Sequence, residues 1–423
     1  MGSLVGITIF EDGGIFGADI LEVWGVLPEL LISVVFDTLS LGERIPSPRR
    51  AARLVGPQLS LGVTLGAGQY VVGLLLTMLL LAPMFGINPL AGALIEIGFE
   101  GGHGTAAGLA GVMADLGFPE GTDLALGMAT VGIVSGIVIG VAMINWAVRT
   151  GKTEFLETSA KASLSEQRGI YVKEEQFPAA TMTVRPSSVE PLAIHFAVVA
   201  VAILIGQGML SALQALEAAL WTDTVQLFEY VPLFPLAMLG GVIVQLVIDK
   251  FDRNEIIDRL MMIRIQGFAL DMLIISALAS LSLEAIAENL GAFAILAGAG
   301  IAWNVVVMLV LARRFIPKYW FERGIGDFGQ SMSVTATGLI LMRIADPEAK
   351  SPAFEAFGYK QLLFEPFFGG GLVTAAAIPL IAQFGALPFL LAMSVLLLIA
   401  LGSGLFYFGR WPARDDRIPL SHD

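Results

Sequence analysis

The sequence predicts an all-α polytopic membrane protein made of an inverted-topology repeat with two broken, re-entrant helical hairpins. Three observations lead there. Only 14% of the 423 residues are charged and 56% are hydrophobic, against about 25% charged in soluble domains, and the mean hydropathy is +0.79. Two apolar segments are interrupted by glycine and hydroxyl residues at matching places in the two halves of the chain, a pattern that points to a solute site between repeats. Every Lys and Arg falls into groups that an alternating path through a bilayer puts on one face.

Taken in order, apolar spans run over 22–41, 54–83, 122–147, 190–219, 228–249, 262–284, 291–312, 361–383 and 386–409. Each is long enough for a bilayer crossing of about 18 residues or more. The broken segments are 88–116 and 322–345. The basic groups lie at 44–53, 149–185, 250–264, 313–323, 343–360 and 410–417, and together contain all 24 Lys and Arg. The opposite loops carry only acids: Glu11, Asp12, Asp19, Glu120, Asp223, Glu229, Glu284 and Glu288. The basic face is therefore read as cytoplasmic, which places the C-terminus and the 148–189 linker in the cytoplasm and the chain in the inner membrane.

This path gives paired spans opposite senses. Span 22–41 pairs with 262–284, through Thr38-Leu-Ser-Leu41 and Ser280-Leu-Ser-Leu283, span 54–83 with 291–312, and span 122–147 with 361–383. The first hairpin then enters from outside and the second from the cytoplasm. The domains expected are a first repeat at 1–147, short at its N-terminus, a polar linker at 148–189, a second repeat at 190–385, and an extra helix and tail at 386–423. Spans 190–219 and 228–249 have no complete counterpart before residue 22. Gly2-Ser3-Leu4-Val5 matches Gly240-Gly241-Val242-Ile243, so the chain is expected to start inside a helix, a natural asymmetry being the alternative.

Cysteine is absent, which excludes disulfides and thiolate chemistry. His103, His195 and His422 are too few for an expected metal centre, and the net charge of −13 argues against nucleic acid. Neither a Ser/His/Asp set nor metal-ligand spacing supports an intramembrane enzyme. No basic-then-apolar cleavable leader opens the chain.

The candidate site lies at the two interruptions, Glu100-Gly101-Gly102-His103-Gly104-Thr105 and Gly326-Asp-Phe-Gly329-Gln-Ser-Met-Ser333 followed by Thr335-Ala-Thr337. Bare backbone at membrane depth must line a cavity or pack inside protein. Glycines at 101–104 and 326–329 can end half-helices, whose N-termini offer N–H groups to a carboxylate. The substrate-binding candidates are Gly101, Gly102, His103, Gly104, Thr105, Ser331, Ser333, Thr335 and Thr337; the cation-coupling candidates are Glu100, Asp327, Gln330 and Thr130. Hydroxyls at such positions coordinate sodium, His103 donates to a carboxylate or relays a proton, and intramembrane acids line ion paths. The alternative for the small residues is close helix packing. Glu96 lies one turn before Glu100, so the two can share a face. Asp37 and Asp271 sit nearer helix ends. His195, alone on an apolar face, is read as structural.

These residues resemble the sodium:glutamate symporter family over most of 20–385. The resemblance is carried by Gly101-Gly-His-Gly-Thr105, Gly117-Phe-Pro, Ala129-Thr-Val-Gly132-Ile-Val-Ser-Gly136, Pro232-Leu-Phe-Pro235 with Gly240-Gly241, and, more loosely, Gly326-Asp-Phe-Gly329, Thr335-Ala-Thr337 and Met342. It implies an elevator-type secondary transporter, a homodimer held by a scaffold, in which a moving domain carries both hairpins. Glutamate or a similar small carboxylate would enter with sodium, the lipid bilayer being the surround, and no cofactor is implied beyond sodium as a co-transported ion. Glu96 and Glu100 stand where the family has serines, Asp327 where it has a histidine, and Ser331 and Ser333 replace glycines. Such added carboxylates repel an anion or hold a sodium ion or proton. The other readings are the same fold moving another solute with protons, and a truncated homologue that does not transport.

Overall fold

The computed structural model describes residues 18–42, 48–153, 173, 176, 178–220, 228, 230–279, 283–347 and 350–410. The described residues are helical and contain no strand. Seven helices among them are long and apolar enough to cross a membrane: Val55–Phe85, Glu120–Arg149, Pro191–Leu220, Leu233–Phe251, Arg259–Ala277, Leu290–Phe315 and Ala386–Arg410. The chain is a multi-pass membrane protein. Residues 1–17, with the Gly2–Val5 match, and most of the 148–189 linker lie outside the described residues, as do 280–282 and the tail from 411.

In chain order, α1 is Ala18–Asp37. α2 is Pro48–Leu76, continuing through a π turn at Thr77–Leu81 into Ala82–Phe85. A 3₁₀ turn at Pro89–Ala93 leads into α3 (Leu94–Gly98), then α4 (Gly102–Gly108) and α5 (Ala110–Asp115). α6 is Glu120–Arg149, α7 Pro191–Leu220, α8 Leu233–Phe251, α9 Arg259–Ala279 and α10 Leu283–Glu288. α11 is Leu290–Val306, with a second π turn at Val307–Ala312. α12 is Trp320–Met332, α13 Thr335–Ala345, α14 Ala353–Phe364, α15 Leu372–Phe384 and α16 Ala386–Gly402.

Helices α1, α7, α8 and α9 pack on one another, and α2 packs against the hairpin helices, α11, α12, α14 and α16. Lipid tails are as apolar as leucine, so small residues and interhelical hydrogen bonds hold such helices together. α6 carries Gly132, Gly136 and Gly140 on one face: side chains at the first two would strike Met332, and one at the third would strike Leu341. The same helix packs Met128 against Gly98 of α3, so it braces both broken segments. Outward faces carry large exposed apolar residues, such as Leu387, Leu391, Val395 and Leu398 on α16.

Both interrupted segments are broken as expected, but by different means. In the first, the chain leaves helix at Phe99–Gly101 and restarts at Gly102, whose φ of +71° only glycine adopts without strain. In the second the break is at Ser333, which is neither helical nor extended, and Val334, which is extended, and Gly326–Gly329 lies inside α12 rather than at a half-helix end. There the close-packing alternative holds. A Cβ on Gly329 would approach Gly338 of the returning leg to 2.8 Å, and one on Gly326 would meet Met342.

A third break corrects the reading of 361–383 as one span. Pro366 lacks an N–H, and Gly369 and Gly370 take left-handed φ of +67° and +104°, so the helix stops at Phe364 and resumes at Leu372. The intervening turn closes on itself through the Leu372 N–H to the Pro366 carbonyl at 2.9 Å and the Val373 N–H to the Phe367 carbonyl at 2.8 Å. The 228–249 span likewise starts later, at Leu233, because Pro232 is extended and proline disfavours helix in the residue before it.

Candidate functional site

The three breaks converge on one face of α2. Gln58, Gly62, Gly66, Gln69 and Gly73 recur three or four residues apart, so they form one stripe. The stripe leaves room where side chains from other helices arrive. A Cβ at Gly66 would lie 2.5 Å from Glu100 Oε2, and one at Gly62 would lie 2.5 Å from Lys360 Cε. Gln69 Nε2 donates to the Ser331 carbonyl at 2.7 Å and to Asn304 Oδ1 at 3.1 Å. Asn304 of α11 donates to the same carbonyl at 3.1 Å. Thus α2 and α11 hold the end of α12 by its backbone just before the break.

The hairpin tips touch. A Cβ on Gly102 would lie 2.6 Å from Val334 Cγ1. Ser331 Oγ donates to Glu100 Oε1 at 3.0 Å, and Glu100 Oε2 has no hydrogen-bond partner. Thr105 Oγ1 is also without one, and stands 2.5 Å from where a Cβ on Gly370 would be. The third break therefore closes over the first hairpin.

Glu96 ties that break down. Its Oε2 accepts the Tyr70 hydroxyl at 2.5 Å, and its Oε1 accepts Thr374 Oγ1 at 2.7 Å and the Gly369 N–H at 3.1 Å. A fully buried carboxylate with three donors meets the requirement that buried charge be hydrogen-bonded. Next to it lies a second network. Lys360 of α14 pairs with Asp327 at 3.4 Å, both fully buried, and donates to Gln330 Oε1 and, at 2.9 Å, to Gln361 Oε1. Gln361 Nε2 donates to Thr335 Oγ1 and to Glu365 Oε1, at 2.5 and 2.7 Å, and Thr335 Oγ1 donates to Glu365 at 2.6 Å. This edge opens on a cavity of about 420 Å³ lined by Thr335, Gln361, Glu365, Glu355, Tyr359 and Arg259 among others.

Among the sequence candidates, Glu100, Asp327, Gln330, Ser331 and Thr335 thus meet in one buried polar region with Glu96. Gly101 and Gly102 form the first tip, Thr105 stands under the third break, and Ser333 is buried at the second. Others face elsewhere. His103 Nε2 bonds Thr130 Oγ1 at 3.0 Å, and Thr130 is exposed and donates to the Leu126 carbonyl. Among the described residues this pair bonds to itself and its helix rather than to the carboxylates. Gly104 packs against Ile32 of α1, and Thr337 is buried toward Gly136 of α6. Asp37 is fully buried with neither oxygen hydrogen-bonded, whereas Asp271 is exposed. His195 is held at both nitrogens, by the Pro191 carbonyl at 2.6 Å and the Asp258 N–H at 2.9 Å.

The sequence reading missed Tyr70, Gln69, Asn304, Thr374, Gln361 and Glu365, and it misplaced Lys360. Counted there with the basic loops on one face, Lys360 is fully buried in the site. The signals were a lone lysine ten residues after Lys350, within an aromatic-rich run, and the Glu365-Pro366 and Gly369–Gly371 interruptions.

A family model described as sodium/glutamate symporter matches residues 7–319, about three quarters of the chain. The chain belongs to the sodium/glutamate symporter family. No curated protein and no solved structure matches it. The family is one of transporters, not enzymes. The match takes in the first hairpin of this symporter-family chain, its bracing helix α6 and the back wall α2. It stops one residue before α12, so the second hairpin, Lys360 and the third break lie beyond the matched residues.

Proposed function

We propose that this chain is a sodium-driven importer of glutamate or a similar small carboxylate, working by alternating access as a homodimer in the inner membrane. The observation that carries the reading is the meeting of the two hairpin tips, Gly102 against Val334 and Ser331 on Glu100, around a carboxylate oxygen that has no partner. Broken helices that meet at a buried polar centre are how secondary transporters build a solute site. In this reading sodium is held at Glu100, with Thr105 as a neighbouring hydroxyl, and offsets negative charge before the anion arrives. The cavity beside Thr335 is the solute's route, and Arg259 in its wall supplies positive charge for a carboxylate.

The inverted repeat is supported by the order of elements. In each half a long helix carries a π turn near its end, at Thr77–Leu81 and at Val307–Ala312, followed directly by a broken hairpin. The elevator mechanism assigns α1, α7, α8 and α9 to the scaffold and the hairpin-bearing helices to the moving domain. The basic loops, the linker 148–189 and the C-terminus are assigned to the cytoplasm.

The test is uptake of labelled glutamate by the full chain in proteoliposomes, under a sodium gradient and in choline, with Glu100→Gln beside the wild type. Sodium-dependent uptake that Glu100→Gln abolishes is the expected result. Folded protein that moves neither glutamate nor aspartate with sodium refutes the reading, and uptake driven by a pH gradient alone transfers it to proton coupling.

A further inference from the structure

The position of Lys360 bears on which carboxylate a mobile cation can use. On α14, residues 357, 360, 361 and 364 recur at helical spacing, so one face presents Phe357, Lys360, Gln361 and Phe364 together. The lysine stem runs past the notch that Gly62 leaves in α2. Its ammonium is then enclosed by Gln330 Oε1, Gln361 Oε1 at 2.9 Å and Asp327 Oδ1 at 3.4 Å. The Phe364 ring lies 3.9 Å from it and the Phe357 ring 5.6 Å. One carboxylate and two amide carbonyls make an all-oxygen donor set of the kind that takes hard cations, and ring faces attract positive charge as well. The enclosure is assembled from α12 and α14, with α2 at its back, and Lys360 has no exposed surface.

We propose that Lys360 is a tethered cation filling a monovalent-cation site formed by Asp327, Gln330 and Gln361. The site stands closed to sodium in this chain, and its ammonium supplies the positive charge that a mobile ion would otherwise bring. This deepens the reading above and narrows it: of the acids at the two hairpins, Glu100 is left for the coupling ion, and Asp327 and Gln330 are engaged by the chain itself. Transport then needs one sodium fewer than the two hairpin carboxylates would suggest.

Methionine reproduces the lysine stem out to Cε and lacks only the ammonium, so Lys360→Met empties the cage while keeping the apolar stem in the notch that Gly62 leaves. The experiment follows thermal unfolding of the purified full chain in detergent, in sodium chloride and in choline chloride at equal ionic strength. Lys360→Met is expected to gain a saturable sodium-dependent rise in Tm beyond that of the wild type, because sodium binds the folded state at the vacated oxygens. Lys360→Met/Asp327→Asn is expected to return to the wild-type response. A Lys360→Met protein whose sodium response equals that of the wild type overturns the proposal. If Lys360→Met folds only in sodium, the proposal stands. If it folds in neither salt, Asp327→Asn alone decides: an unchanged sodium shift supports the proposal, and loss of the shift, which would make Asp327 a sodium ligand, overturns it. A wild type with no sodium response at all refutes the sodium-coupling reading above and leaves the comparison of Lys360→Met with wild type as the test of the cage.

Discussion

Replacing Thr374 by valine removes one hydroxyl while keeping the β-branched shape, which isolates the polar contribution of the third break. In the native protein Thr374 Oγ1 donates to Glu96 Oε1 at 2.7 Å and accepts the Gly370 N–H at 3.2 Å. The variant therefore strands a buried backbone donor, which costs about 1–3 kcal/mol. It also takes one of three donors from a buried carboxylate; interhelical polar contacts in membranes average about 0.6 and reach about 1.7 kcal/mol. The sum is a loss of about 2–5 kcal/mol. It is to be read from equilibrium unfolding in mixed micelles, with sodium-dependent glutamate uptake measured beside it. Glu96→Gln should cost less in the Thr374→Val background than in the wild type, by about 1 kcal/mol or more, as for residues sharing one network. A Thr374→Val protein within about 0.5 kcal/mol of the wild type, or strict additivity with Glu96→Gln, would show that the third break is held by packing and not by Glu96.

Gly102→Ala combines a left-handed φ of +71° with contact to Val334, so it should lower maximal uptake velocity; Val334→Ala should restore only part, because the backbone strain of about 1–2 kcal/mol remains. Gly132→Ala pushes a methyl into the Met332 carbonyl, with an overpacking cost of about 1–3 kcal/mol; Met332→Ala should not rescue it in unfolding measurements, since the obstacle is backbone. His103→Ala and Thr130→Val break the same 3.0 Å bond, so each should cost about 0.6–1.7 kcal/mol and the pair should cost no more than one alone. Because cysteine is absent, Lys250→Cys, exposed at the end of α8 in the basic group 250–264, gives a single reactive thiol. A membrane-impermeant reagent should label it from the cytoplasmic side only, and labelling from outside would reverse the orientation read from the basic loops.

Much of the architecture was legible because lipid punishes unsatisfied backbone. Long apolar runs had to be helices, and the glycine and hydroxyl interruptions at 99–105 and 333–335 had to be buried within protein. The break at 365–371 was hidden by its own surroundings. Phe364, Phe367, Phe368, Leu372 and Val373 keep the hydropathy of a continuous span, although Pro366 and three consecutive glycines had announced a stop. Gly326 and Gly329 misled in the opposite direction, because a glycine that admits a neighbouring helix and a glycine that ends a helix are the same letter.

The partners of the carboxylates belong to another kind of knowledge. Apolar length, glycine placement and the order of the broken segments are local properties, so the chain alone determines a multi-pass helical protein with two interrupted hairpins and acids beside them. Which acid is neutralised depends on groups hundreds of residues away. Ser331 reaches Glu100, Thr374 and Gly369 reach Glu96, and the glycine stripe on α2 leaves the space in which Lys360 can meet Asp327. Only the tertiary structure decides these pairings, because the strength of a buried charge interaction is set by distance and by the exclusion of water, neither of which is written in residue order.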